Sequence, residues 1–283
     1  MALISLSPSS QPNRALVLDE PEKSESNKKW LARIGDSDGL ILLGGSSVAD
    51  FRVRVAQSSL RRDMLPSFWS QVGILLGSNM FATVPLDLAS RDPAPASKRA
   101  DDVSAIPRHN GVRMCSLDEI DNAQRFPNIA VIRFAKVHDN VRAHIDRVSA
   151  DRSIVDIPAL MLHWLGFAWG TAGSSNPLLS GIGLPSSAFV ETVFAMAGFE
   201  LTPGLSAASS CPEAIWQSAK WWTGFYEKTA ADTSQDKKAA AVSMVPTGSF
   251  YLRQPSAAVN WPPYVRAAEA PPDKGASPPA AAR

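Results

Sequence analysis

The sequence predicts an α+β fold, on three observations. Short apolar runs at residues 40–43, 72–76, 80–84 and 129–134 are each bounded by Gly, Asn, Asp or Pro, which suits buried strands. Segments of helical period lie elsewhere in the chain. The strands follow one another in its middle instead of alternating strictly with helices, which argues against a doubly wound parallel sheet.

Taken in order, residues 1–27 mix Ser, Pro, Glu and Lys without an apolar period and read as a flexible N-terminal arm. After the first strand, residues 47–62 carry Val48, Phe51, Val55 and Leu60 at helical spacing over a basic face. Residues 88–108, with Arg91-Asp92-Pro93 and Lys98-Arg99, read as an exposed insertion. Residues 157–169 are nearly all apolar and predict a buried helix. Residues 187–197 place Phe189, Val190, Val193, Phe194 and Ala197 on one stripe, with Gly198 at the stop position and Ser186 and Ser187 as N-cap candidates. A further helix starts after Pro212 and carries Ile215, Trp216, Trp221 and Trp222. The domain thus spans 28–226, followed by a connecting segment 227–252. The tail 253–283 has seven prolines and nine alanines, a composition that holds neither a helix nor a sheet ladder.

Composition excludes more than it identifies. The 28 Lys+Arg against 27 Asp+Glu leave a net charge of +1, which removes any bulk electrostatic reason to expect nucleic acid or an anionic membrane as partner. Cys115 and Cys211 are too few for a disulfide scaffold and wrongly spaced for a zinc or CxxC site. The apolar windows fall short of a membrane span, and residues 1–14 lack the basic patch and apolar core of a secretory signal, so a cytoplasmic location is expected. His109, His138, His144 and His163 show no metal-ligand spacing, and neither a metal nor a cofactor is expected.

Two sets of short blocks carry more than composition. Asp38-Gly39-Leu40-Ile41-Leu42 is followed, after a helix, by Ser70-Gln71-Val72-Gly73-Ile74. Later come Pro185-Ser186-Ser187-Ala188-Phe189-Val190, then Ala197-Gly198, then Ser210-Cys211-Pro212-Glu213. In order and spacing these blocks resemble the circularly permuted branch of the NlpC/P60 superfamily, the YiiX-like papain-fold hydrolases. The resemblance covers about residues 36–222. It implies a papain-like fold with a central antiparallel sheet packed against helices, and a cleft that takes a peptide, a peptidoglycan-like fragment or an acyl-amide. In that family the S-x-V-G block carries the catalytic histidine, and the later block carries the nucleophilic cysteine at a helix start.

Here Gln71 stands at the base position and Ser186 at the nucleophile position. A thiolate is stabilised at a helix N-terminus and is formed near neutral pH by an adjacent imidazole. A serine hydroxyl beside a glutamine has neither advantage, because the amide does not titrate near pH 7. The orienting third residue would fall near residues 81–83, where Thr83 replaces any carboxylate or imidazole.

The expectation is a catalytically degenerate protein that keeps the former active-site cleft as a binding or scaffold module. Ser186 and Gln71 mark the degenerate positions, with Ser70, Ser187, Thr83 and His163 as binding candidates. Two alternatives stand beside it. One is an active peptidase or amidase using Ser186 with an unrecognised base such as His163. The other is a structural component of a bacterial or phage assembly, with a protein partner held through the C-terminal tail. His163 itself reads first as a core histidine and only second as a cleft residue.

Overall fold

Strand β2 (Gly39–Gly44) is buried along its whole length, because alternate side chains enter two different cores. Leu40 and Leu42 point to one face, Ile41 and Leu43 to the other. This double burial explains why the strand reads as a continuous apolar run with no polar alternation. The computed structural model describes residues 16–22, 25–35, 39–86, 110–134, 140–170, 173–232 and 246–252, with side chains in the helix ending at 232 described as far as residue 225.

The other strands are β1 (Leu16–Leu18), β3 (Gln71–Gly77), β4 (Met80–Thr83), β5 (Arg113–Ser116), β6 (Asn128–Arg133) and β7 (Thr247–Leu252). They form one seven-stranded sheet in the order β1-β7-β6-β2-β3-β4-β5. Every pairing is antiparallel except β1 with β7, so the sheet is mixed. Ser78 and Asn79, both with positive φ, make the tight turn that returns β3 into β4.

Helices cover both faces. Helices α3 (Val141–Ala150), α5 (Pro185–Met196) and α6 (Pro212–Asp232) pack on one, through Ile145, Val148, Phe189, Val193 and Trp216 against Leu40, Ile74 and Ile132. Helix α1 (Asn27–Ile34) and a 3-10 turn at Leu117–Ile120 cover the other, through Trp30, Leu31, Leu117 and Ile120. A third cluster joins α2 (Val48–Ala56) to α4 (Ile157–Ala168) through Val53, Ala56, Trp164 and Ala168. Local capping sets the helix starts: Ser26, Ser47 and Asp156 accept from first-turn N–H groups of α1, α2 and α4.

The structure agrees with the α+β expectation and corrects several details. Strand β1 belongs to the segment expected to be a mobile arm, and β7 to the expected connector, so the ordered domain is wider than residues 28–226. Both strands are short or weakly alternating, and pairing with β6 and with each other holds them. Helix α4 is not buried: only Ile157, Trp164 and Ala168 are, and Leu162 is 74% exposed. Ser186 and Ser187 lie inside the first turn of α5, whose N-cap is Leu184 with no side-chain cap bond. Helices α1 and α3 and strand β5 had no expectation attached to them. The insertion at 88–108 and the tail at 253–283 lie outside the described residues, as do residues 1–15 of the arm. No helix among the described residues is long and apolar enough to cross a membrane.

Asn27 holds the α1 face in place. Its buried amide donates to the carbonyls of Ile120 at 2.9 Å and Phe126 at 3.0 Å. Replacement by alanine orphans two buried acceptors, so Asn27→Ala is expected to lower unfolding free energy by about 1–3 kcal/mol. A urea melt checks this, and an unchanged midpoint would show that the two carbonyls find other donors.

Candidate functional site

Gln71 and Ser186, far apart in the chain, line the same cleft of about 650 Å³. Gln71 opens β3, and Ser186 sits in the first turn of α5, which packs across that strand. The two are joined through one residue. Val72 N–H donates to Ser186 Oγ at 3.4 Å, and Val72 C=O accepts from Thr83 Oγ1 at 2.7 Å. Thr83 Oγ1 in turn accepts from Gln71 Nε2 at 2.9 Å. Three positions singled out in the sequence therefore form one connected chain: Gln71, Thr83 and Ser186.

That chain fixes the direction of each hydrogen bond. A threonine hydroxyl has a single proton, and here it goes to the Val72 carbonyl. Thr83 must then be an acceptor toward Gln71, which places the amide nitrogen on that side and leaves Oε1 without a described donor. By the same count, Ser186 Oγ accepts from Val72 N–H and keeps its own proton. No described group takes it.

Ser70 has a different place. Its Oγ accepts from Gly45 N–H at 3.1 Å and donates to Asp50 Oδ1 at 2.7 Å. The other carboxylate oxygen of Asp50 accepts from Ser47 Oγ at 2.6 Å, while Ser47 caps the Asp50 N–H. Asp50 thus ties the start of α2 to the residue preceding Gln71. The approach is so close that a Cβ on Gly45 would overlap the Asp50 carboxylate. Asp50 was missed as a cleft residue, although Ser47-x-x-Asp50 before an apolar run is a legible capping signal.

The remaining candidates do not join the site. His163 is exposed on α4 and is not among the residues lining the cleft, so it is neither a core histidine nor a base for Ser186. Ser187 is fully buried, its Oγ has no partner among the described residues, and it too is absent from the lining. Cys115 lines the cleft, but burial pushes its thiol up to about 11, and the nearby Glu119 adds to the shift. Cys211 is buried in the third cluster, where burial pushes its thiol up to about 12. Both thiols are protonated near neutral pH, the unreactive form.

Charge around the cleft is engaged internally. Arg52 donates to the Phe167 carbonyl at 3.2 Å, Arg113 lies 3.7 Å from Glu119, and Arg125 stacks on Phe126 with the guanidinium 5.2 Å from the ring centre. Among the described residues no group of three or more His, Cys, Asp or Glu side chains is arranged to hold a metal ion. Comparison with family models, with curated proteins and with solved structures finds no match.

Behind the site, Glu191 on α5 holds the following loop. Its Oε1 accepts from Thr202 Oγ1 at 2.6 Å and Ser210 Oγ at 2.8 Å. Burial raises the Glu191 carboxyl above its ordinary value of 4.5, against the opposing effect of those two hydroxyls. A raised folded-state value means that its contribution to stability is full below the unfolded value and is lost as pH rises through the folded one. Glu191→Gln removes that titration and keeps an acceptor for both hydroxyls. The variant is expected to gain in melting temperature relative to the parent as pH is raised from 4 through 8. Thermal melts across that range check the trend, and parallel curves would contradict it.

Proposed function

We propose that this chain is a catalytically degenerate, papain-like protein of the permuted NlpC/P60 type, whose cleft binds a ligand without hydrolysing it. One observation carries the reading. Gln71 and Ser186, the positions that the resemblance assigns to base and nucleophile, line one cleft and are bridged through Val72, with Thr83 bonded to Gln71 where an orienting residue would stand. A helix start beside a strand pair, with neutral groups at both positions, supports that reading.

The chemistry follows from that exchange. Ser186 has no proton acceptor among the described residues, and Gln71 directs a donor, not a lone pair, at Thr83. Loss of general-base assistance alone costs about 10²- to 10⁴-fold in rate. A hydrolase built on Ser186 and His163 finds no support in the exposed position of that histidine. The two high thiols offer no substitute nucleophile.

Restoring both groups tests the placement. Ser186→Cys combined with Gln71→His is expected to react with iodoacetamide at position 186 at least about tenfold faster than Ser186→Cys alone, because an adjacent imidazole promotes thiolate formation. Cys115 and Cys211 serve as slow internal controls. Equal rates for the two variants would overturn the assignment of these positions. A fluorophosphonate label on the unaltered protein that Ser186→Ala abolishes would favour the active hydrolase.

A further inference from the structure

We infer that a groove along α6 is a docking site for this chain's own segment Trp261-Pro262-Pro263-Tyr264, which holds the first proline pair after β7. The groove lies apart from the cleft and does not depend on how the cleft is read. Its volume is about 390 Å³, with Trp221 and Trp222 of α6 on one side and Thr202 and Pro203 of the preceding loop on the other. Ala214, Gln217, Ser218 and Trp221 recur at three- and four-residue spacing, so one stripe of the helix forms its floor.

The aromatic rings give the groove its preference. Trp221 stacks on Phe225 with ring centres 5.2 Å apart and planes 15° from parallel, and Trp222 stands edge-on to Trp221 at 4.7 Å. Trp221 is 58% exposed and Phe225 45%. Grooves lined by aromatic rings take up proline-rich segments, because a proline ring packs flat on them and the polyproline II helix is preformed, with little conformational freedom left to lose. Among the described residues no charged side chain lines the groove, so an acidic or basic peptide has nothing there to pair with.

The occupant follows from where the chain leaves the sheet. Phe250 of β7 packs on Trp216 of α6 at 5.2 Å, and Thr223 Oγ1 donates to the Pro246 carbonyl at 3.2 Å, so β7 runs alongside the helix that carries the groove. Trp216 and Trp221 are about 8 Å apart along the axis of a helix about 10–12 Å across. The stretch from Leu252 to Trp261 spans up to about 30 Å when extended, enough to round that helix. Residues 254–265 carry no charge, which matches the groove, and charge resumes at Arg253 and Arg266 on either side. Tethering then favours this segment over a separate partner. At an effective concentration of about 1 mM, a site with a dissociation constant of about 0.1 mM is occupied about 90% of the time.

Trypsin reads the docking on the full chain, because cleavage tracks the open population when undocking is fast. Initial rates at Arg266 and Lys274 are followed by mass spectrometry, with a synthetic peptide of residues 257–283 as the undocked reference. Arg266 lies so close to Tyr264 that the protease needs part of the docked segment. It is expected to be cut about tenfold more slowly in the protein than in the peptide, and Lys274 at nearly equal rates. Trp221→Ala and Trp261→Ala, one on each side of the contact, are each expected to restore the peptide's rate at Arg266, with cooperative thermal melting showing that the domain folds. Equal Arg266 rates in protein and peptide would show that the segment does not dock. Protection that survives Trp221→Ala would place the segment on another surface. Protection that grows as the protein is concentrated from about 1 to 100 μM would place it on a second copy, since docking within one chain is independent of concentration. Either result ends the assignment.

Discussion

The packing of α5 across β3 is the constraint on which the rest of the site depends. Every residue of α5 from Pro185 to Phe194 is buried, including Glu191 and Thr192. Phe189, Val190 and Val193 share a core with Val72 and Ile74. A helix buried to this extent has no freedom to slide, so its first turn is delivered to the start of β3 by core packing alone. The contact between Ser186 and Val72 is a consequence of that packing. Its 3.4 Å length is too long for it to be the cause.

The cleft therefore depends on the apolar surface of α5 and not on the side chains at positions 71 and 186. Ser186 contributes none of the apolar surface that holds α5 down. Gln71 reaches Thr83 from β3 with an N–H donor. That geometry is set by the core, through Phe189, Val190 and Val193 against Val72 and Ile74. What these two positions offer the cleft is a neutral hydroxyl and a neutral amide.

Much of the framework was legible because the local signals and the tertiary environment agree. The runs at 40–43, 72–76, 80–84 and 129–134 became β2, β3, β4 and β6 since both faces of the inner sheet are covered and each run is mostly apolar, Thr83 and Arg133 being the exceptions. Strands β1 and β7 were not legible: Leu16–Leu18 is three residues long, and Thr247–Leu252 presents a mixed pattern at the side of the sheet. Helix α4 misled for the opposite reason. Its apolar composition signals burial, whereas Leu162 and Trp169 stand in solvent at 74% and 64% exposure. Ser186 and Gln71, singled out in the sequence, line one cleft, while Asp50 was hidden because its partners Gly45 and Ser70 come from different segments.

That last failure reflects how the cleft wall is held. Arg54 donates to the carbonyls of Ser67 at 2.7 Å and Gly45 at 3.3 Å, and burial lowers its guanidinium to about 10, still charged near neutral pH. Gln57 donates to the Trp69 carbonyl at 2.9 Å and accepts from the Glu213 N–H at 2.9 Å. Glu213 closes the circuit by accepting from Ser67 Oγ at 2.6 Å. Segment 67–70, which leads into Gln71, is therefore gripped from α2 on one side and the start of α6 on the other. Buried polar groups of this kind cost desolvation and contribute little net stability compared with apolar packing. Their value lies in direction, since each bond is satisfied in one arrangement and orphaned in a shifted one. A one-residue slip of β3 would turn Gln71 to the opposite face of the sheet, and it would also break these bonds. The apolar run specifies that a strand forms, and the polar lattice specifies which residue of it faces the cleft.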